Sequence, residues 1–180
     1  MALHVELVRD RLPFLKVDAI AYGAKDTGEM GGGAAAAIIE AAGLELMMDL
    51  RKKLVATNRQ IGEAILTDSF GLRQSGIKWV CHITSIVTKT PQGDWCPYPG
   101  KLYDGMSSCL HQVYKAGAQS IAISALATGE GRVKPEDAAR LMLTAIRDFQ
   151  EYPAHRRLKV VLALPSYDDY EAFEALYSRM

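Results

Sequence analysis

The sequence holds no surplus of either charge. Lysine plus arginine count 21 and aspartate plus glutamate count 21 in 180 residues, so no net field draws the chain to nucleic acid or to an anionic membrane surface. Cysteine is scarce: Cys81, Cys96 and Cys109 form an odd set without Cys-x-x-Cys spacing, which argues against a disulfide framework or a zinc knuckle and fits a reducing compartment. No apolar run approaches the roughly 18 residues of a membrane span. Charge arrives in Met1-Ala2-Leu3-His4-Val5-Glu6 before an apolar signal core forms. No Gly-x-x-x-x-Gly-Lys-[Ser/Thr] is present, so a P-loop NTPase is unsupported. Heptads, low-complexity tracts and short-period repeats are missing too. The expectation is one domain over residues 1–180, cytoplasmic, with no membrane partner and with nucleic acid a disfavoured one.

What the chain does have is a glycine run between two strong elements. Val17 to Ala24 is the short apolar stretch of a buried strand, and Ala34 to Ala42 has the alanine content and Ile38–Ile39 placement of a helix that Gly43 closes. Gly31-Gly32-Gly33 lies between them. A strand that leads through glycines into a helix N-terminus offers approachable N–H groups and the positive end of a helix dipole, which suits a phosphate. The same small residues would also let a helix lie close on a sheet. Gly31-x-Gly33-x-x-Ala36 meets a loose dinucleotide fingerprint, but its glycines stand well beyond the strand end and no acidic ribose partner follows.

The remaining pattern is alternating. Leu3 to Val8 switches apolar with polar as an edge or near-edge strand does, and Leu44 to Val55 has helical period. Gly62 to Asp68 and Ile77 to Thr84 read as strands, with His82 a structural histidine. Thr88 to Gly100 is a long loop containing Trp95 and Tyr98, of the kind that covers sites. A helix over Leu102 to Lys115 precedes the buried strand Ser120 to Leu126. Ala127-Thr128-Gly129-Glu130-Gly131-Arg132 then leads to Pro135 at a helix start. Lys159 to Leu164 is the last core strand, and Asp168-Asp169 opens a terminal helix. This order predicts a mixed, largely parallel sheet with helices on both faces, two glycine loops following strands, and a ligand outside the strands' carboxyl ends.

These motifs in register resemble the macro domain family, which binds ADP-ribose and its derivatives. The resemblance rests on Val17-Asp18-Ala19-Ile20, on Gly31 to Gly43, on Gly62-Glu63-Ala64, on Trp79-Val80-Cys81-His82, and on Ser120 through Ala139. It implies a three-layer α/β/α fold and ADP-ribose or a derivative as the small-molecule partner, with no cofactor and no metal. It also implies ligand contacts from Asp10 and Ile20, from Gly31, Gly32, Gly33 and Ala34, and from Ala127, Thr128, Gly129, Glu130, Gly131 and Arg132. Asp10 falls at the family's adenine-binding aspartate, where a carboxylate accepts from the amino group, although Arg9, Arg11 and Leu12 replace the usual neighbours. Tyr167 stands near the position of an adenine-stacking aromatic.

Macro-domain hydrolases of the commonest type resemble one another in an Asn-Ala-Ala-Asn after the first central strand and an aspartate just past the glycines. The matching residues here are Tyr22-Gly23-Ala24-Lys25 and Ala35, and alanine has no group to take or orient a proton. Another branch uses a lysine amine of lowered pKa, for which Lys25 and Lys89 are the candidates. The readings left open are a binder without the usual Asn/Asp chemistry, an ADP-ribosyl or O-acetyl-ADP-ribose hydrolase using Lys25 or Lys89, and a macro-like module for RNA or another phosphate ligand.

Overall fold

A computed structural model describes residues 3–57 and 60–180; Met1 and Ala2 of the N-terminal stretch lie outside the described residues. In chain order the elements are β1 (Glu6–Val8), β2 (Ala19–Lys25), α1 (Gly33–Ala42), α2 (Leu44–Thr57), β3 (Ala64–Asp68), β4 (Trp79–Ile86), α3 (Lys101–Lys115), β5 (Ser120–Ser124), α4 (Pro135–Phe149), β6 (Lys159–Ala163) and α5 (Tyr167–Tyr177), with short 3-10 turns at Leu12–Phe14, Phe70–Ser75 and Pro153–Arg157. The six strands form one sheet in the order β1-β6-β5-β2-β4-β3. Every pair is parallel except β3 with β4, so the sheet is mixed and largely parallel.

Alternation along the strands sorts the core into two layers. In β2, Ala19 and Ala21 join a cluster with Leu102, Met106, Met142 and Phe173, whereas Ile20 and Tyr22 join one with Ile38, Leu46 and Leu50. Each strand thus serves the α3–α4–α5 face with one set of side chains and the α1–α2 face with the other, because successive Cβ atoms point to opposite sides. Fully burying a single Leu or Ile contributes about 1.5–3 kcal/mol, so both faces carry substantial stabilisation. This is the three-layer α/β/α arrangement the family resemblance implies.

Helix ends follow local chemistry. Pro135 is pre-set for the first turn of α4, with Glu136 and Asp137 beside the positive dipole end. At α5 the Ser166 side chain accepts from the Asp169 N–H at 3.5 Å. β5 stops at Ser124, short of the expected Leu126, since the chain turns sharply and Ala127 takes φ +59°. The ladder of the expected Leu3–Val8 strand begins only at Glu6. The expected Ile77 strand starts at Trp79, after the Lys78 and Trp79 N–H groups both donate to the Asp18 carbonyl.

Candidate ligand cleft

The glycine run and the second glycine loop meet at the carboxyl ends of β2 and β5. One cavity of about 90 Å³ is lined by Gly23, Lys25, Glu29, Gly31, Gly32, Gly33, Ala34, Ala35, Ile86, Ser124, Ala125, Ala127, Gly129 and Glu130. A wider one of about 380 Å³ is lined by Asp10, Arg11, Leu12, Pro13, Ala163 and Pro165 together with Gly33, Ala34 and Ser124. The last three residues border both, so the two cavities adjoin and together make up the cleft. Open α/β sheets bind ligands at this edge, outside the strands' carboxyl ends where neighbouring crossovers diverge.

Local backbone explains the narrow end. Gly32 precedes α1 in extended conformation and Gly33 takes φ +53°, so the chain turns abruptly into the helix, whose first residues line the cleft. On the other side Gly131 is required: a Cβ there would lie 2.5 Å from the Ala127 carbonyl oxygen. Ala127 at φ +59° and Arg132 at φ +56° bracket this loop in a conformation that non-glycine residues rarely adopt. The expected bends therefore face one another over a shared space.

A charged bridge spans that space. Lys25 Nζ sits 3.0 Å from Glu130 Oε2 and 3.0 Å from Asp94 Oδ2, and the lysine side chain is only 14% exposed. Glu130 also presses on the glycine run, since a Cβ on Gly32 would lie 2.6 Å from its Oε1. The hydrogen bond to Glu130, with a further one to Asp94 and the charge of both, raises the Lys25 pKa against a smaller opposing effect of burial. A nucleophilic amine needs the opposite shift, so the pairing works against Lys25 as an attacking group. Its hydrogen bond to Lys25, with another from the Lys89 N–H, lowers the Asp94 carboxyl.

The remaining expected site residues divide. Asp10 is exposed at the wide cavity, with Oδ1 accepting from the Arg11 N–H at 2.7 Å. Ile20 has no exposed surface and its side chain packs against the α1–α2 layer. Thr128 turns away, donating from Oγ1 to Asp169 Oδ2 at 3.1 Å; burial raises the Asp169 pKa. Gly131 is buried under Ala127, with its carbonyl accepting from the Cys96 N–H at 3.0 Å. Arg132 is exposed near Gly93, and neither it nor Lys89 borders the narrow cavity. Lys89 is exposed at φ +58°. Tyr167 is 57% exposed, lies against the Arg9 guanidinium, and bonds Glu171 through its hydroxyl, so Pro165 and not the ring faces the wide cavity. Ala35 does border the narrow cavity, offering only a methyl.

His82 is structural. Thr67 Oγ1 donates to the Val80 carbonyl, which leaves it to accept from His82 Nε2, while the Tyr22 hydroxyl donates to Nδ1 at 2.8 Å. Burial lowers the His82 pKa to about 3. Cys96 is buried and its thiol is pushed up by that burial, while His111 packs edge-on to Phe149 and His155 on α3's outer end.

Asp94, Glu29 and Ser85 escaped sequence reasoning. Asp94 reaches Lys25 only because the long loop folds back through the Val87–Trp95 bridge and the Cys96-to-Gly131 bond. No motif spacing signals that contact.

Comparison with known proteins agrees with this geometry. The family model described as Macro domain matches residues 22–142. An uncharacterized protein of Pyrococcus furiosus is 27% identical over 176 residues, covering 93% of each chain. The Trypanosoma brucei macrodomain solved with ADP-ribose superposes with a TM-score of 0.78 at 26% identity, covering 96% of this chain and 68% of that one. The same protein with ADP gives 0.79 at 27%, with 97% and 70% covered. The Oceanobacillus iheyensis macrodomain with ADP shares the fold, with a TM-score of 0.79 at 23% identity over 98% and 93% of the two chains. A match over more than half of the chain, seated on this sheet and these two loops, places the protein in the macro domain family.

Proposed function

We propose that this chain binds ADP-ribose or a close derivative in the cleft, with the diphosphate between the Gly31–Ala34 and Ala127–Glu130 loops. In this reading the adenosine enters the wide cavity beside Asp10 and the distal ribose faces Lys25. The observation that carries it is the shared border of the two cavities at Gly33, Ala34 and Ser124. Backbone N–H groups at the start of α1 supply donors that need no charged side chain. The ligand-bound Trypanosoma relatives support the choice of ligand.

Binding without turnover is the preferred form of this reading. Ala35 supplies no acid or base, and Lys25 is held as a cation by two carboxylates. Thermal shift and calorimetric titration with ADP-ribose, ADP, AMP, NAD and a short RNA test the assignment, since a ligand that prefers the folded state raises the melting temperature. The expected result is a shift with ADP-ribose and ADP and none with RNA. Release of ADP-ribose from modified protein by the wild type, lost in Lys25→Ala or Lys89→Ala, would replace this reading with the hydrolase one.

A further inference from the structure

Ser85 is fully buried, and its Oγ has no hydrogen-bond partner among the described residues. A hydroxyl in that condition is a net cost to the fold, so an unfilled one calls for a reason. Its place in the sheet is also irregular. Strands β2 and β4 pair in step from Ala19 with Trp79 to Ala24 with Thr84, but the next pair is Lys25 with Ile86. Ser85 is the extra residue of a β-bulge, a device that re-aims a side chain.

The bulge aims this one at the cleft wall. A Cβ on Gly23 would lie 2.7 Å from Ser85 Oγ and 3.3 Å from the Ala127 nitrogen, so the gap left by the absent side chain is bordered by both the hydroxyl and that nitrogen. Gly23, Ile86 and Ala127 all border the narrow cavity. The hydroxyl is thus sealed one layer behind that surface, under a loop that Glu130 and Lys25 draw onto β2. Ala127 and Arg132 hold that loop in left-handed backbone at both ends, the kind of stored strain that lets a segment have a second arrangement.

Resting on the binding function proposed above, we propose that Ser85 is a ligand-binding residue. When a diphosphate displaces Glu130 and lifts the Ala127–Glu130 loop, Ser85 Oγ–H donates to a phosphoryl oxygen that the Ala127 N–H also meets. Two converging donors suit an anionic oxygen, and the ligand supplies the acceptor that the free protein lacks.

Calorimetry with ADP and with adenosine, on wild type and Ser85→Ala, tests this alongside thermal unfolding of both free proteins. The expected result is a crossover. Ser85→Ala melts at or above the wild-type temperature, because it sheds an unpaired buried hydroxyl, yet binds ADP about 5- to 20-fold more weakly while adenosine affinity is unchanged. Equal ADP affinity in both proteins overturns the role of Ser85 alone. Parallel losses of melting temperature, ADP affinity and adenosine affinity mark a packing residue and overturn it as well. A wild type that binds neither ADP nor ADP-ribose overturns the binding function and, with it, this role.

Discussion

Lys25 Nζ and Glu130 Oε2 lie 3.0 Å apart across the mouth of the narrow cavity, joining β2 to the second glycine loop. The Glu130 carboxylate rests on Gly32, in the space between the two loops. An incoming diphosphate meets a like charge there and must displace it. Glu130→Gln therefore binds ADP-ribose about 3- to 10-fold more tightly than wild type, and Lys25→Met binds more weakly because Asp94 and Glu130 lose their shared cation. Titration calorimetry reads both. The Lys25 pKa is raised, so the cation persists through neutral pH and past the ordinary lysine value of 10.5, and the Asp94 carboxyl is lowered from 3.8. Wild-type affinity for ADP-ribose is accordingly flat from pH 6 to 9.

Asp10 lies at the opposite end of the cleft, exposed and turned toward its own Arg11 N–H. If its carboxylate accepts from the adenine amino group, Asp10→Ala weakens ADP-ribose, ADP and AMP alike by about 10-fold, as loss of a hydrogen bond involving a charged group predicts. Binding of inosine diphosphate, which lacks that amino group, is unaffected. Unchanged ADP-ribose affinity in Asp10→Ala would remove the residue from the site.

His82 gives the fold an acid-sensitive group. Its folded pKa is about 3 against an ordinary value of 6.5, so the unfolded chain binds the extra proton between those limits. Stability from this group is complete above pH 6.5 and falls as pH drops toward 3, by about 1.4 kcal/mol per unit where only the unfolded state is protonated. Urea unfolding from pH 6.5 to 5 should show this slope in wild type and lack it in His82→Gln.

Gly131 allows the second loop to fold back on itself, since a Cβ there would lie 2.5 Å from the Ala127 carbonyl oxygen. Gly131→Ala forces a backbone shift at that contact, lowering stability by about 1–3 kcal/mol, a drop of several degrees in melting temperature. Gly32→Ala differs, because what its methyl meets is the end of the Glu130 side chain. It displaces the carboxylate with little loss of stability, which differential scanning calorimetry distinguishes.

The family resemblance was legible because its signals are local. Small residues from Gly31 to Ala37 start α1, Pro135 opens α4, and the buried Ile121-Ala122-Ile123 run of β5 marks a strand covered on both faces. Strand periodicity also fixed which residues share a face, and it turns the Ile20 side chain into the α1–α2 layer. By itself, then, the sequence determined the element order, the largely parallel sheet and the two glycine bends. The third dimension decided what fills the space between them. Glu130, Asp94 and Lys25 are distant in the chain and meet only where the long loop and the second bend fold over the β2 end, while Ser85 is turned to the cleft wall by a one-residue bulge. Charge pairing and strand register are relations between segments, and a linear pattern carries neither.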